Sequence, residues 1–147
     1  MNFHCILIFL NNKIMDNLII PATDFTPSVI FQIESGNFEL SGVSRPEDVA
    51  GFYEGPLEWL TNLEESIQNK PEYKYELPEL RFSFKMTYFN SGSSKYMIQI
   101  LRTLRNLIRG GVDINIDWYF EEGDDKMQDD GEDLAEAVEL NFNYIEV

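Results

Sequence analysis

The chain has only one cysteine, Cys5, and one histidine, His4, among its 147 residues. A lone cysteine cannot form an intramolecular disulfide, which indicates a reducing compartment, and we therefore expect a cytoplasmic protein. Because both residues precede Met15, the rest of the chain cannot form a Cys-His or Ser-His-Asp nucleophilic site or a common zinc site. Neither of the phosphate-binding loops G-x-x-x-x-G-K-S/T and G-x-G-x-x-G occurs. These absences predict a protein that is not an enzyme and that carries no metal and no cofactor.

Positive charge is also scarce, since 11 lysines and arginines against 26 acidic residues give a net charge of −15. Nucleic acids and anionic membranes repel such a chain, so we expect neither as a partner. The acids concentrate in residues 121–139, which contain ten acids and a single lysine, Lys126. This acidic segment does not match a calcium loop, because counting back from Gly131 puts Lys126 at the first ligand position. A solvated helix face is the simplest interpretation, and a docking surface for a basic partner or mimicry of an anionic ligand is the alternative.

Residues 1–14 carry an apolar run from Phe3 to Leu10, which is shorter than the roughly 20 residues that a membrane span needs. The run lacks a basic flank and a small-residue cleavage site, which argues against a secretory signal. Our hypothesis is that translation begins at Met15 and that residues 1–14 are an over-extended or disordered N-terminal segment, with a weak membrane anchor as the alternative. Residues 15–147 then form one domain. The intact mass of the protein expressed from its native gene tests this hypothesis.

Alternation of apolar and polar residues predicts strands, and roughly helical spacing of apolar residues predicts helices. The predicted strands are residues 28–34, 37–41, 80–89 and 112–121, with a short strand within 141–147. Ser35-Gly36 is typical of a two-residue hairpin turn. The first predicted helix opens at residues 44–47 with Ser44 as its cap, and the others span residues 95–109 and 127–140. Gly55-Pro56 predicts a kink or break in the first helix, because proline removes a helical hydrogen bond.

The order of these elements, in which strands follow helices, predicts a single α/β domain with about three helices packed on its sheet. Residues 80–121 form a strand, a turn, a helix and a strand, which make a right-handed crossover by default. One face of the strand at 80–89 is expected to carry Leu80, Phe82, Phe84, Met86 and Tyr88. The inward-facing residues of the last helix are expected to be Met127, Leu134, Ala135 and Val138.

A polar turn, Asn90-Ser91-Gly92-Ser93-Ser94, separates the strand at residues 80–89 from the helix that follows. The N–H groups at a helix N-terminus lack partners and the helix dipole is positive there, so a phosphate on Ser91 would be favoured. In an interface the same phosphate would repel a partner or force desolvation. The alternative is that Ser91, Ser93 and Ser94 are ordinary capping residues.

The turn is framed by Tyr88-Phe89-Asn90-Ser91, with Lys95 and Met97 in the next helix. This pattern resembles the phosphoacceptor turn of the SiaC family of bacterial regulatory phosphoproteins, which is similar to anti-sigma-factor antagonists of the SpoIIAA/STAS fold. The similarity continues along the chain from Met15, in Ile20-Pro21, Thr26-Pro27, residues 38–42 and 44–47, Glu58-Trp59, Trp118-Tyr119, the acidic segment and a short hydrophobic end. The order and spacing of these features carry the resemblance, which implies a SpoIIAA/STAS-like fold with a mixed sheet.

The resemblance also implies a partner switch. In such systems an anti-sigma-type Ser/Thr kinase phosphorylates the turn, a PP2C-like phosphatase removes the phosphate, and the unmodified form binds a signalling target, in the best-known branch a diguanylate cyclase. The acceptor corresponds to Ser91, with Asn90, Gly92 and Ser93 as its neighbours in the turn. The chain departs from the family pattern at Gly92 and at Ser94, which leaves Ser93 and Ser94 as rival acceptors.

The helix after the turn adds a basic strip to an acidic protein. The strip consists of Lys95, Arg102, Arg105 and Arg109. Intramolecular ion pairs or solubility are its simplest explanations, and contact with an acidic partner is the functional one. The main hypothesis is thus a phosphorylation-controlled binding module, in which phosphate on Ser91 releases the target. The alternatives are an acidic interaction module that acts through residues 121–139 without phosphorylation, and an enzyme that uses carboxylates alone.

Overall fold

Six strands and three helices make up the computed structural model, which describes residues 15–147. The hypotheses on residues 1–14 lie outside the described residues. The strands are β1 (Leu18–Ile20), β2 (Ser28–Gln32), β3 (Asn37–Ser44), β4 (Leu80–Phe89), β5 (Ile114–Phe120) and β6 (Asn143–Glu146). The helices are α1 (Val49–Asn69), α2 (Ser91–Arg109) and α3 (Asp125–Val138), and a short 3₁₀ helix (Pro71–Tyr75) follows α1.

The strands form one mixed sheet in which their spatial order equals their order in the chain. β1, β2 and β3 pair antiparallel, whereas β3 to β6 pair parallel. Parallel neighbours need a crossover connection, and α1, α2 and α3 supply the three that this sheet requires. The predicted α/β fold is therefore confirmed, with a mixed sheet and three helices.

The core lies between the helices and one face of the sheet. Leu80, Phe82, Phe84 and Met86 of β4 are buried there as predicted. Tyr88 is 48% exposed instead, because the pairing of β3 with β4 shifts register at Gly42 and leaves one β4 residue unpaired. Alternate β4 residues lie on the opposite, polar face.

The start of α1 differs from the prediction. Ser44 does not cap the helix but is the buried last residue of β3, and the cap is Asp48, whose carboxylate accepts a hydrogen bond from the Gly51 N–H at 3.0 Å. Helix α1 runs without interruption through Gly55-Pro56 and buries Pro56, so of the predicted kink or break the break is wrong.

Two turns differ as well. The predicted turn at residues 90–94 is shorter, because α2 begins at Ser91, four residues before the predicted start. The β2–β3 connection comprises residues 33–36 and is closed by a 3.0 Å hydrogen bond from the Gly36 N–H to the Ile33 carbonyl. Gly36 is required there, since its φ is 72° and a Cβ would lie 2.2 Å from the Glu79 carbonyl oxygen.

Candidate functional site

The candidate site is the first turn of α2, which is attached to the end of β3. Asn90 has an extended backbone and caps α2 through its side-chain oxygen, which accepts a hydrogen bond from the Ser93 N–H at 2.8 Å. The N–H of Asn90 donates to the Ser44 carbonyl at 3.1 Å. The turn therefore has a defined position relative to the sheet.

The three serines of this turn have different surroundings. Ser91 is exposed, and its hydroxyl has no hydrogen-bond partner among residues 15–147. Ser93 is fully buried, where its hydroxyl donates to the Ser44 carbonyl at 3.0 Å and accepts from the Ser44 hydroxyl at 2.8 Å. Ser94 is partly buried and donates its hydroxyl to the Ser91 carbonyl at 2.7 Å. Only the Ser91 hydroxyl is thus both exposed and uncommitted.

A series of hydrogen-bonded hydroxyl groups in the protein interior connects the turn to α1 and β3. The Tyr53 hydroxyl of α1 lies 2.6 Å from the Ser44 hydroxyl, which in turn contacts Ser93. The Tyr53 ring stacks on Tyr96 of α2 with centroids 5.4 Å apart. Burial raises the pKa of the Tyr53 phenol, and its hydrogen bonds to Ser44 and Ser93 partly oppose that rise. These hydrogen bonds join β3, α1 and the first turn of α2, which contains Ser91. The sequence suggested Ser44 as a helix cap and gave no sign of its buried contacts with Tyr53 and Ser93.

A groove of about 410 Å³ separates the first turn of α2 from α3, with Ser91 on its edge. We call it the α2–α3 groove. Its apolar side chains are Phe89, Ile98, Leu134 and Ala137, and its charged ones are Lys126, Asp130 and Asp133. Lys126 pairs with Asp130 at 2.7 Å, and this hydrogen bond raises the pKa of the lysine. The structure thus places part of the acidic segment beside the candidate phosphoacceptor, which the sequence did not predict.

The basic strip is partly used within the molecule. The Arg105 guanidinium donates to the Val138 carbonyl at 3.0 Å, and Arg109 lies 3.7 Å from the Glu139 carboxylate, so both hold the C-terminal end of α3. Lys95 and Arg102 are exposed and have no ion pair with any described residue. Lys95 and Arg102 are thus the members of the strip without a partner among residues 15–147, and Arg109 remains 61% exposed beside Glu139.

Helix α3 packs very closely on the sheet through Gly131. The indole N–H of the fully buried Trp118 donates to the Met127 carbonyl inside α3 at 2.9 Å. A Cβ on Gly131 would lie 2.4 Å from the indole nitrogen. The groove wall that α3 forms therefore depends on a glycine in the middle of a helix.

The polar face of the sheet carries a second cluster, centred on Asp117. This carboxylate is only 3% exposed and accepts two hydrogen bonds from Arg81, at 2.8 and 2.9 Å, and one from Asn143 at 3.0 Å. The cluster fastens β5 to both of its neighbours. The Asp117 carboxylate is thus paired within the molecule.

Two further properties bear on function. Within residues 15–147, no three potential metal ligands among the Asp, Glu, His and Cys side chains come together in a way that could hold an ion. In the same part of the chain, no helix is both long and apolar enough to cross a membrane.

Comparison with known proteins decides the family. Residues 20–147 match the family described as "SiaC family regulatory phosphoprotein". The chain belongs to the SiaC family. An uncharacterized protein of Pseudomonas aeruginosa is 23% identical over 128 residues, which cover 87% of this chain and 94% of that protein.

Solved structures from the same organism share the fold of this SiaC-family chain. SiaC of Pseudomonas aeruginosa superimposes with a TM-score of 0.70 at 22% identity, over 89% of this chain and 97% of that one. The crystal structure of the diguanylate cyclase SiaD in complex with its activator SiaC matches with a TM-score of 0.74 at 22% identity, over 88% and 99% of the two chains. The resemblance inferred from the sequence is therefore confirmed, together with the expectation of a regulatory protein.

Proposed function

We propose that this protein is a phosphorylation-controlled partner switch that acts by binding and not by catalysis. In its unmodified form it binds and regulates a signalling target in the cytoplasm, and phosphate on Ser91 releases that target. An anti-sigma-type Ser/Thr kinase adds the phosphate and a PP2C-like phosphatase removes it. A diguanylate cyclase is the target that the comparisons support, because a structural neighbour is the activator of such an enzyme.

The assignment of the acceptor depends on one observation, the accessibility of the Ser91 hydroxyl. A kinase needs a hydroxyl that reaches solvent and is not already held by strong hydrogen bonds. Ser93 is fully buried between two bonds to Ser44, and phosphate there would require the first turn of α2 to open. Ser94 is partly buried and bonded to the Ser91 carbonyl. Ser91 meets both requirements.

The position of Ser91 gives a physical reason for release. A phosphoserine carries close to two negative charges at neutral pH, and the N-terminus of α2 favours that charge. Lys95 lies four residues further along the same helix, within reach of the new phosphate. The phosphate therefore competes for Lys95 with any acidic group of the target. The same dianion would also have to be desolvated in the interface.

Phosphorylation by the co-encoded kinase tests the acceptor. We expect phosphopeptide mapping to find the phosphate on Ser91, and we expect Ser91→Ala to abolish incorporation. Ser94→Ala is the matched control, because it removes a hydroxyl from the same helical turn, and it should be modified like the wild type. Phosphate on Ser93 or Ser94 alone, or none at all, would show that the acceptor is wrong.

Release is tested with phosphoserine incorporated genetically at position 91. The unmodified chain and Ser91→Ala should bind the full-length diguanylate cyclase encoded in the same genome, and the phosphoserine form should not. Binding by calorimetry and cyclase turnover are the two readouts. Equal binding of the modified and unmodified chains would contradict the switch.

A second candidate function is binding through the acidic segment without phosphorylation. It is favoured by the position of Asp130 and Asp133, which face the groove rather than forming a separate surface. Under this alternative, neutralising the acids of residues 121–139 abolishes target binding, and phosphoserine at position 91 changes nothing.

A further inference from the structure

We propose that a cavity between the carboxyl ends of β4 and β5 binds an extended basic peptide segment of a partner protein, through a peptide group and an arginine or lysine side chain. Residues of β4, of β5 and of the segment after β5 line this cavity, among them Lys85, Met86, Tyr119 and Glu121. We call it the β4–β5 cavity. Among the described residues it shares no lining residue with the α2–α3 groove, and the inference does not depend on the proposed function.

Strands β4 and β5 separate before either of them ends. Their parallel pairing stops at Phe84 and Trp118. Beyond this point β4 still pairs with β3 at Phe89, and β5 still pairs with β6 at Phe120, so the gap opens between the two central strands. A cavity of about 340 Å³ lies in this gap, which is within the range of sites that bind ligands. In open α/β sheets, ligands bind outside the carboxyl ends of the strands.

The separation leaves backbone groups of both strands without their partner in the sheet. Parallel pairing uses alternate residues, and the Leu80 N–H donates to the Asp113 carbonyl at 2.9 Å, so the even-numbered residues of β4 face β5. The pair in which the Met86 N–H would donate to the Tyr119 carbonyl is absent. Met86 is only 5% exposed, and both residues line the cavity. A donor and an acceptor that face one cavity fit a ligand group that both accepts and donates, as a peptide group does.

The charges beside the cavity favour a basic ligand. Lys85 is bonded to Glu39 at 2.8 Å, which neutralises the charge of this lysine. Glu121 is exposed and has no ion pair with any residue of the described chain. Asp124 caps α3 through one carboxylate oxygen, which accepts from the Met127 N–H at 3.0 Å, and its second oxygen remains for a ligand. An arginine or lysine side chain is therefore attracted by two carboxylates, whereas an acidic ligand is repelled.

Lys85 does not compete with such a ligand for the free carboxylate of Glu121. Its ammonium group is bonded to Glu39 and also lies 4.9 Å from the centroid of the Tyr119 ring, in a cation–π contact. The hydrogen bond to Glu39 raises the pKa of Lys85, so the ammonium stays charged in this position. Moving the ammonium to Glu121 would break both contacts. Glu121 thus remains available to a partner.

The test is a titration of the ¹⁵N-labelled full chain with a capped tripeptide of sequence alanine-arginine-alanine, followed by NMR. We expect saturable shifts at millimolar peptide, confined to residues that line the cavity and largest at Met86, because its N–H gains an acceptor. The tripeptide with glutamate in place of arginine should not bind. The tripeptide with every peptide nitrogen methylated cannot donate to the Tyr119 carbonyl, and it should bind about fivefold more weakly.

Matched variants locate the site. Glu121→Gln should weaken binding of the tripeptide about threefold, because it removes the unpaired carboxylate. Glu122→Gln is the control, since Glu122 is equally exposed and does not line the cavity, and it should change the affinity less than about 1.5-fold. Thr87→Trp should block binding by filling the cavity, whereas Thr61→Trp, at an exposed position of α1, should not.

Each remaining outcome overturns the proposal. No saturable shift at millimolar peptide, or shifts elsewhere on the chain, shows that the cavity takes no such peptide. Equal losses in Glu121→Gln and Glu122→Gln reduce the effect to net charge. Equal affinity for the methylated tripeptide excludes the bond to the peptide group, and equal affinity for the glutamate tripeptide excludes the basic ligand. The titration uses neither a kinase nor a cyclase, so a failure of the proposed function would leave its result unchanged.

Discussion

Replacing Gly131 with alanine isolates the contact that sets the position of α3. Alanine normally stabilises a helix interior relative to glycine by about 1 kcal/mol. At Gly131 the added methyl group would lie 2.4, 2.5 and 2.7 Å from three atoms of the Trp118 indole. The indole cannot turn away easily, since its N–H is bonded to Met127 and its ring packs against Phe84 and Phe142, with centroids 5.5 and 6.0 Å away. We therefore expect Gly131→Ala to destabilise the protein.

The expected change in the free energy of unfolding combines two destabilising contributions and one stabilising contribution. Relieving the clash requires a displacement close to 1 Å, and overpacking of a core costs about 1–3 kcal/mol. If α3 moves outward, the indole N–H loses its acceptor while buried, which costs about 1–3 kcal/mol more. The gain in helix propensity offsets about 1 kcal/mol. Central values give a net loss of about 3 kcal/mol in the free energy of unfolding.

Urea unfolding followed by circular dichroism measures this loss, and Trp118→Phe provides the control. Phenylalanine removes the hydrogen bond that fixes the ring and the indole nitrogen that lies nearest to position 131, so Gly131→Ala should cost clearly less in that background than in the wild type. The loss in the free energy of unfolding should thus be smaller in the Trp118→Phe background. A stabilising effect of Gly131→Ala in the wild type, or the same loss in both backgrounds, would refute the reasoning.

Three further predictions concern the turn and the sheet. Tyr53→Phe should cost about 1 kcal/mol through the lost bond to Ser44. The pKa of Tyr53 in the folded state is raised above 10.0, so the unfolded chain releases the phenolic proton first as pH rises. Above pH 10 the free energy of unfolding of the wild type should therefore fall more steeply than that of Tyr53→Phe, and urea unfolding at a series of pH values measures this difference. Asp117→Asn should lower the free energy of unfolding by about 1–2 kcal/mol, a moderate value because its partner Arg81 is 48% exposed. Thermal unfolding measures this loss, and an unchanged stability would show that the pair adds none. Asn90→Ala should cost about 1 kcal/mol, and Asn90→Asp, which keeps the cap, should cost less by the same measurement.

The long elements of the fold could be predicted from the sequence because each has a strong periodic pattern. The predicted strand at residues 80–89 has the observed bounds, because five alternating apolar residues are typical of a strand with one buried face. β1 was missed, because its three residues are too few to show a period. The start of α2 was placed too late, because Asn90 caps the helix and the three serines that follow look equally suited to a loop.

The candidate site was predictable only in part. The polar turn before a helix marked the region, and the family resemblance pointed to Ser91 within it. Burial separates Ser91 from Ser93, and that burial depends on Tyr53 and Ser44, which are distant in sequence. The α2–α3 groove could not be predicted at all. It requires α3 to lie beside α2 at a distance that Gly131 and Trp118 determine, and no local pattern reports such a tertiary contact.

The strand order of the sheet has a consequence for how the molecule is assembled during synthesis. Every strand pairs with the strand made just before it, so none has to wait for a partner that is still to be translated. Chains emerge from the ribosome at about 5–20 residues per second, so about a second or less separates β2 from β3, and up to several seconds separate the later, parallel strands. The turn that holds Ser91 leaves the ribosome well before residues 125–138, which supply the opposite wall of the groove. The nascent protein thus completes the first turn of α2, with its candidate phosphoacceptor, before it completes the α2–α3 groove.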